Sequence, residues 1–215
     1  MIRHTLLLVL AIALFPAGLF AVDGVVLINQ STVAAAEGFP YIISQPGSYK
    51  LSGNLTMITT QTGNYQGVDI AIAIAQNDVS LDLNGFTIYV VNNINGIAHP
   101  YRAIAELGTF TGTSIKNGHI TLTGTGSVAN NSIGFAGIEL RNSTFNFIED
   151  VSVFTGGPAV TGELSVGLAA GKDSVVRKFI TDDGSGFPTC PSVVVESIGL
   201  VPGAGCATAL NIANP

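Results

Sequence analysis

Two glutamates occupy equivalent positions in the sequence and could form an acid/base pair. Glu106 and Glu139 each stand nine residues before an apolar residue that begins a repeated segment, Ile115 and Ile148 respectively. If successive repeats stack, the two carboxylates come about 5 Å apart, a separation typical of retaining glycosidases. Arg141 follows Glu139 by two residues and could neutralise the repulsion between the carboxylates. The alternative is that these three side chains form a neutralised surface cluster without a catalytic role.

The element that must position these glutamates is a strand followed by a bend. The segment Asp78–Ile88 (DVSLDLNGFTI) alternates apolar and polar residues, which predicts an extended strand with one buried face. Asn84 and Gly85 then supply a bend, because both residue types adopt positive φ at low cost. A strand, a bend and a second strand form one corner of a coil.

This corner recurs along the chain. Each corner contains an apolar residue followed five positions later by a second residue of the buried face. The first residues of successive corners are 19 to 33 positions apart. The residue after each first position alternates in charge from the second corner onward, as expected for an outward ladder between stacked strands. The predicted corners are Leu83–Ile88, Ile115–Ile120, Ile148–Val153, Val176–Thr181 and Val195–Leu200, and the predicted ladder is Asn84, Lys116, Glu149, Arg177 and Glu196.

The segments LDLNGFTI, SIKNGHITL and FIEDVSVF resemble the right-handed parallel β-helix of the pectate-lyase-like superfamily. The openings DGVVLINQ and ISQPGSYKLSGNL are similar to those of its single-domain secreted bacterial members. The resemblance implies an all-β, right-handed parallel β-helix of about five short rungs with an N-terminal cap. It implies little about chemistry, since that superfamily includes lyases, hydrolases, esterases and adhesins.

Residues 1–21 are predicted to be a signal peptide, because a short basic start is followed by an apolar run, Thr5–Phe15, and a small residue at Ala21. We expect a secreted, periplasmic or cell-surface protein with no membrane span after cleavage. Residues 22–215 form one predicted β-helix domain, with an N-terminal cap at 22–56 and a C-terminal cap at 190–215. Within the first cap, Tyr41–Ile43 and Tyr49–Leu51 are predicted to form a hairpin around Pro46-Gly47.

The two cysteines predict a disulfide. Cys190 and Cys206 are sixteen residues apart in a chain expected to be exported, where an even pair of cysteines first indicates a bridge. The alternative is two buried thiols. No metal-ligand spacing is present, so no cofactor is expected, although calcium could bridge the protein to an anionic ligand.

Partners follow from charge and from the long loops. A net charge of −6 with eight basic residues argues against nucleic acid. Tyr65, Tyr89 and Tyr101 lie in or beside loops that should gather on one side of the stack, and they could bind a sugar ring. We therefore expect an exported scaffold or a module that binds a polysaccharide or cell-surface glycan. The competing hypothesis is a polysaccharide lyase or glycoside hydrolase using Glu106, Glu139 and Arg141.

Overall fold

A computed structural model describes residues 24–60, 63–92, 100–124, 135–155, 165–182, 192–195, 197 and 209–210. The chain forms sixteen described strands and one short helix, α1 (Gln30–Ala35). No helix in these ranges is long and apolar enough to cross a membrane. The strands are β1 (Val25–Ile28), β2 (Tyr41–Ile43), β3 (Gly47–Leu51), β4 (Leu55–Ile58), β5 (Asp69–Ile74), β6 (Val79–Asp82), β7 (Thr87–Asn92), β8 (Tyr101–Glu106), β9 (Ser114–Gly124), β10 (Phe135–Thr144), β11 (Phe147–Thr155), β12 (Ser165–Lys172), β13 (Ser174–Arg177), β14 (Ile180–Thr181), β15 (Ser192–Val195) and β16 (Ala209–Leu210).

All named strand pairs are parallel, and they form two sheets. The larger has eleven strands and follows the order β1-β3-β6-β9-β11-β13-β15-β16, with β4, β7 and β14 pairing beside this path. The smaller has five strands in the order β12-β10-β8-β5-β2. Because the chain alternates between the sheets, it forms a β-solenoid of about three turns. The predicted all-β parallel coil is confirmed, and its regular part is shorter than the five rungs expected.

The core consists of aliphatic columns that run through successive turns. One column stacks Leu81, Ile115, Ile148 and Val176, and all four side chains are fully buried. Columns from the other strand segments complete the interior: Ile88, Ile120 and Val153, and Ile72, Ile104, Ile138 and Leu168. Each additional turn buries one more residue per column, so the hydrophobic gain grows with the stack.

The predicted register is wrong by two residues at the first corner and by one at the last. Leu81, not Leu83, lies opposite Ile115, and Val194, not Val195, lies opposite Val176. The first corner is therefore two residues longer than the second, since Ile88 still pairs with Ile120.

Leu83 projects into the core beneath Gly118. A Cβ on residue 118 would overlap the Leu83 side chain and would lie 2.8 Å from the Phe86 carbonyl oxygen. The close approach therefore requires glycine at 118.

The first cap differs from the predicted hairpin. β2 pairs with β5 and β3 pairs with β6, both in parallel, so these two strands belong to different sheets. Helix α1 precedes them. Its N-cap, Asn29, accepts hydrogen bonds from the backbone N–H of Ser31 and Thr32, and Val33 packs into the core. These bonds satisfy backbone donors that the first turn of the helix leaves unpaired.

Positive φ angles recur at the bends. Gly112, Phe145 and Asp173 occupy corresponding bends of successive turns, where Gly112 N–H donates to Thr144 and Phe145 N–H donates to Lys172. Phe145 has φ of 57°, and the residue is 65% exposed. A bulky residue in this region is strained, whereas asparagine adopts it readily.

Phe145→Asn should therefore raise the free energy of unfolding by about 1 kcal/mol, because it relieves backbone strain and exposes little new apolar surface. Urea denaturation of both proteins measures the change. The matched control is Phe147→Asn two residues later in β11, where the backbone is extended and asparagine is disfavoured. A stability gain in the control, or a loss in Phe145→Asn, would contradict this account.

Candidate functional site

The two predicted acid/base residues do not stack on each other. Glu139 lies opposite Ala105 on β8, whereas Glu106 lies opposite Ile74 on β5. Because the Ile74 side chain belongs to the main core and successive side chains alternate between faces, Ala105 and Glu106 face opposite sides of the sheet. Glu139 therefore lies on the outer side and Glu106 on the inner side. Equal spacing to the next corner did not give equal register, because β8 ends at Glu106, well before its corner, whereas β10 continues to Thr144.

Glu139 is part of an ion-pair network on the outer side of the smaller sheet. One of its oxygens, Oε1, lies 3.1 Å from Arg141 Nε, and the other, Oε2, pairs with Arg102 Nε. The Arg102 side chain is only 8% exposed, and its Nη1 also donates to the Tyr101 carbonyl. Both carboxylate oxygens are thus engaged by guanidinium groups, which favours a structural network over an acid/base pair. Sequence reasoning identified Arg141 and missed Arg102.

Glu106 occupies a partly buried position at the end of β8. Its Oε1 accepts a hydrogen bond from the Asn142 backbone N–H, which ties two turns together. Its Oε2 is buried without a hydrogen-bond partner among the described residues. Burial raises the pKa of Glu106, and the Glu139 charge adds to this rise, while hydrogen bonds from Ser143 and Asn142 oppose it.

The raised pKa of Glu106 predicts a pH dependence of stability. The folded state binds the Glu106 proton more tightly than the unfolded state, so this residue stabilises the fold at low pH. That contribution is lost as the pH rises through the folded-state pKa. Glu106→Gln should therefore be more stable than the parent protein at pH 7, with the difference shrinking towards pH 4. Urea denaturation at both pH values tests this, and a difference that grows on acidification would contradict it.

The three predicted ligand-binding tyrosines lie in different environments. Tyr101 is 3% exposed and stacks against Phe135 with ring centroids 4.2 Å apart, so its predicted role on the surface is wrong. Tyr65 is half-buried and packs on the small apolar cluster of Ile70 and Ala105. Tyr89 is 37% exposed on β7 and remains available to a ligand.

Tyr89 belongs to an outward face formed by β4, β7, β9, β11 and β14, which we call the corner face. Its side chains alternate with the buried columns and form three rows parallel to the solenoid axis. The central row, the Tyr89 row, contains Thr56, Tyr89, Thr121 and Phe154. The flanking rows are Thr87, His119, Ser152 and Ile180, and Ile58, Val91 and Thr123.

The corner face combines exposed apolar groups with hydroxyl groups. Tyr89 and Phe154 are 37% and 43% exposed, and they share one row with a threonine between them. Beside them, His119 is exposed, and its Nδ1 lies 2.6 Å from Ser152 Oγ. This hydrogen bond fixes the orientation of the imidazole ring across two turns.

Phe154 and His119 were not predicted as binding residues, although the sequence contains a pattern that places Phe154 in the Tyr89 row. Tyr89, Thr121 and Phe154 each follow the second buried residue of a corner directly, namely Ile88, Ile120 and Val153. Comparing the residue at that one position in successive repeats aligns the row from the sequence alone.

The long connections begin and end along one edge of the fold. Val91 pairs with Ile58 and Thr123 near the ends of their strands, and Tyr101 pairs with Asp69 and Phe135 where the chain enters the smaller sheet. The described residues that flank 93–99 and 125–134 are therefore in register with those that flank 59–68, and the predicted gathering of the loops themselves falls largely on residues outside the described ranges. In connection 59–68, the buried Asp69 carboxylate accepts hydrogen bonds from Thr60 and Asn64 and holds the loop in place.

The outward charge ladder runs on the other half of the larger sheet, across the bend from the corner face. Asp82, not Asn84, lies opposite Lys116, and Lys50 lies opposite Asp82. The column therefore alternates through Lys50, Asp82, Lys116, Glu149 and Arg177, and its last two members form an ion pair. Val195 lies opposite Arg177, so the prediction that Glu196 follows Arg177 in the column is wrong.

Several sequence predictions fall on residues that are not described. These are the signal peptide at residues 1–21 and the Cys190–Cys206 bridge. Within the described ranges, no group of three or more His, Cys, Asp or Glu side chains could hold a metal ion. A calcium ion bridging an anionic ligand stays a prediction.

No protein-family model matches this chain, and neither a curated protein nor a solved structure matches it significantly.

Proposed function

We propose that this protein is an exported binding module in which the corner face holds an extended polysaccharide. The observation that carries the proposal is the pair of exposed aromatic rings, Tyr89 and Phe154, aligned along the axis of a rigid parallel stack. Aromatic rings bind the apolar faces of sugars, and hydroxyl and imidazole groups bind sugar hydroxyls. Thr121 between the rings and His119 beside them supply the second kind of group.

A non-catalytic role is favoured over the enzyme alternative. The proposed acid/base residues, Glu106 and Glu139, face opposite sides of one sheet, and Glu139 is held between Arg102 and Arg141. The central row of the corner face contains no carboxylate between Thr56 and Phe154, and the Asp182 carboxylate beside Phe154 accepts hydrogen bonds from Thr155. The apolar run Thr5–Phe15 supports export. The repeated corners support membership of the pectate-lyase-like superfamily.

Removing either aromatic ring should weaken glycan binding about tenfold, because anchoring aromatics at a binding face each contribute about 1–2 kcal/mol. The test is retention of purified protein on a panel of neutral and acidic polysaccharides, followed by titration calorimetry with Tyr89→Ala and Phe154→Ala. The matched control is Phe147→Ala, which removes a ring of similar exposure from the same strand as Phe154, on the half of the sheet across the bend.

Reducing-end release is measured in the same reactions. Retention of the parent protein without release of reducing ends supports the binding module, provided that binding weakens in both corner-face variants and is unchanged in the control. Release of reducing or unsaturated ends would overturn the non-catalytic role. Equal binding by all variants would place the ligand elsewhere on the protein.

A further inference from the structure

We infer that the ligand of the corner face is an uncharged, ribbon-like polysaccharide that lies parallel to the solenoid axis, with one sugar unit on each turn. This inference rests on the proposed function and narrows it to a ligand class and a direction. It depends on two observations: the spacing of the aromatic rings along one row, and the distribution of charge between the two halves of the larger sheet.

The spacing of the rings defines a two-turn repeat. Tyr89 and Phe154 are separated in their row by Thr121, so they lie two strand spacings apart, or about 10 Å. An extended, equatorially linked glycan turns over at each sugar, and two of its sugars span a similar length. Every second ring then presents the same apolar face. A ligand lying across the row, along the strands, could not stack on both rings in this way.

The row also alternates in chemistry at the same period. Thr56 and Thr121 alternate with Tyr89 and Phe154 along the row, so a sugar over an aromatic ring is followed by a sugar over a hydroxyl group. The flanking His119 lies beside Thr121 and is held by Ser152, so it can reach the hydroxyl groups of an intervening sugar. The face thus matches a polymer whose successive units present alternating sides.

The charge distribution selects against an acidic polymer. The side chains of the three rows are threonine, serine, tyrosine, phenylalanine, isoleucine and valine, with His119 as the one titratable group besides the tyrosine phenol. An acidic polysaccharide would lose part of its hydration on this face without gaining an opposite charge.

Basic side chains of the described residues lie mainly away from the corner face and beside carboxylates. Arg102 and Arg141 pair with Glu139 on the smaller sheet, and Lys178 lies 3.7 Å from Asp150 at the bend. Across the bend, the ladder of Lys50, Asp82, Lys116, Glu149 and Arg177 alternates in sign, so each basic side chain in it has an acidic neighbour. The remaining described lysine, Lys172, ends β12 in the smaller sheet.

The decisive variant moves one ring by one turn without changing the composition of the face. Tyr89→Thr combined with Thr121→Tyr keeps one tyrosine, one phenylalanine and two threonines in the row and places the rings on adjacent turns. Because threonine and tyrosine both favour strands, we expect the exchanged variant to retain the fold. Thermal denaturation of the variant and the parent protein checks this. The parent protein and the exchanged variant are titrated calorimetrically with hexamers of cellulose, xylan, mannan and polygalacturonate.

We expect at least one neutral hexamer to bind at least tenfold more tightly than the galacturonate hexamer, and the exchanged variant to lose at least fivefold of that affinity. For the preferred polymer, affinity should rise from two to four sugars, since the row contains one residue from each of four stacked strands, and then level off. Tighter binding of the galacturonate hexamer would overturn the neutral ligand. Unchanged binding by the exchanged variant would overturn the axial direction.

These failures can be separated from failure of the proposed function. If an acidic hexamer binds and Tyr89→Ala abolishes its binding, the corner face is still a glycan site and only the ligand class is wrong. If the parent protein binds none of the four hexamers and none of the polysaccharides, the proposed function and this inference are both overturned.

Discussion

Replacing Glu139 with glutamine is expected to lower the free energy of unfolding by about 3 kcal/mol, at the lower end of the loss found when one partner of a buried ion pair is removed. The substitution keeps the shape of the side chain and removes the charge between two guanidinium groups. Arg102, with a side chain only 8% exposed, then loses its counter-charge in a region of low dielectric. The Tyr101 carbonyl still accepts from Arg102, which keeps the loss near the lower end.

Two further variants separate this effect from a general loss of surface charge. Arg141→Gln removes the exposed partner, whose side chain is 36% exposed, and should cost less than about 1 kcal/mol. Arg102→Met combined with Glu139→Gln should recover most of the loss, because an apolar side chain of similar volume replaces a buried charge. Urea denaturation with unchanged m-values measures all four proteins. Equal losses from Glu139→Gln and Arg141→Gln would show that burial of Arg102 is unimportant.

The parallel coil was predictable from the sequence because its signal is repeated. Ile115–Ile120 and Ile148–Val153 are identical in length, and their strands pair in the predicted register. Val176–Thr181 also pairs as predicted, although threonine replaces an aliphatic residue there. A short spacing between apolar residues is a stronger indication of the fold when it recurs in segments that must stack on one another.

The predicted alignment of the first corner was wrong because the length of its bend differs from that of the later corners. Leu83 and Ile88 are five positions apart, like the later pairs, yet the chain places Leu81 in the column and adds two residues to the bend. Leu83 is still buried, because the missing side chain of Gly118 leaves room for it. Both alignments bury a leucine, so hydrophobicity alone could not distinguish them. The charges could have done so, since only Asp82 continues the alternation between Lys50 and Lys116.

The candidate site was less predictable than the fold because it depends on which face each side chain occupies. Glu106 and Glu139 share a spacing to the next corner, but a difference of one residue in strand register moves a side chain to the opposite face. Tyr101 was expected in or beside a loop, and it begins a strand whose first residue points into the core. Tyr89 is exposed as expected, and it lies within β7, beside the connection that follows this strand.

Replacing Gly171 with alanine is expected to lower the free energy of unfolding by about 3 kcal/mol, because a Cβ at this position would overlap the Ser143 carbonyl oxygen. The same Cβ would also lie 2.8 Å from the Leu140 carbonyl oxygen. Both obstacles are backbone atoms of β10, so no side-chain rotation can relieve the contact, and two adjacent turns must separate locally.

The overlap would also disturb a buried hydrogen-bond network that connects these turns. Ser143 Oγ donates to Asn146 Oδ1, Asn146 Nδ2 donates to Ser174 Oγ, and Ser174 Oγ donates to the Gly171 carbonyl. Since these side chains are almost fully buried, a polar group that loses its partner there costs a further 1–3 kcal/mol or so. The matched control is Gly53→Ala, where the nearest heavy atom to an added Cβ is 3.8 Å away. Because alanine also restricts the unfolded chain, the control should be neutral or slightly stabilising in urea denaturation, and a loss equal to that of Gly171→Ala would contradict the packing argument.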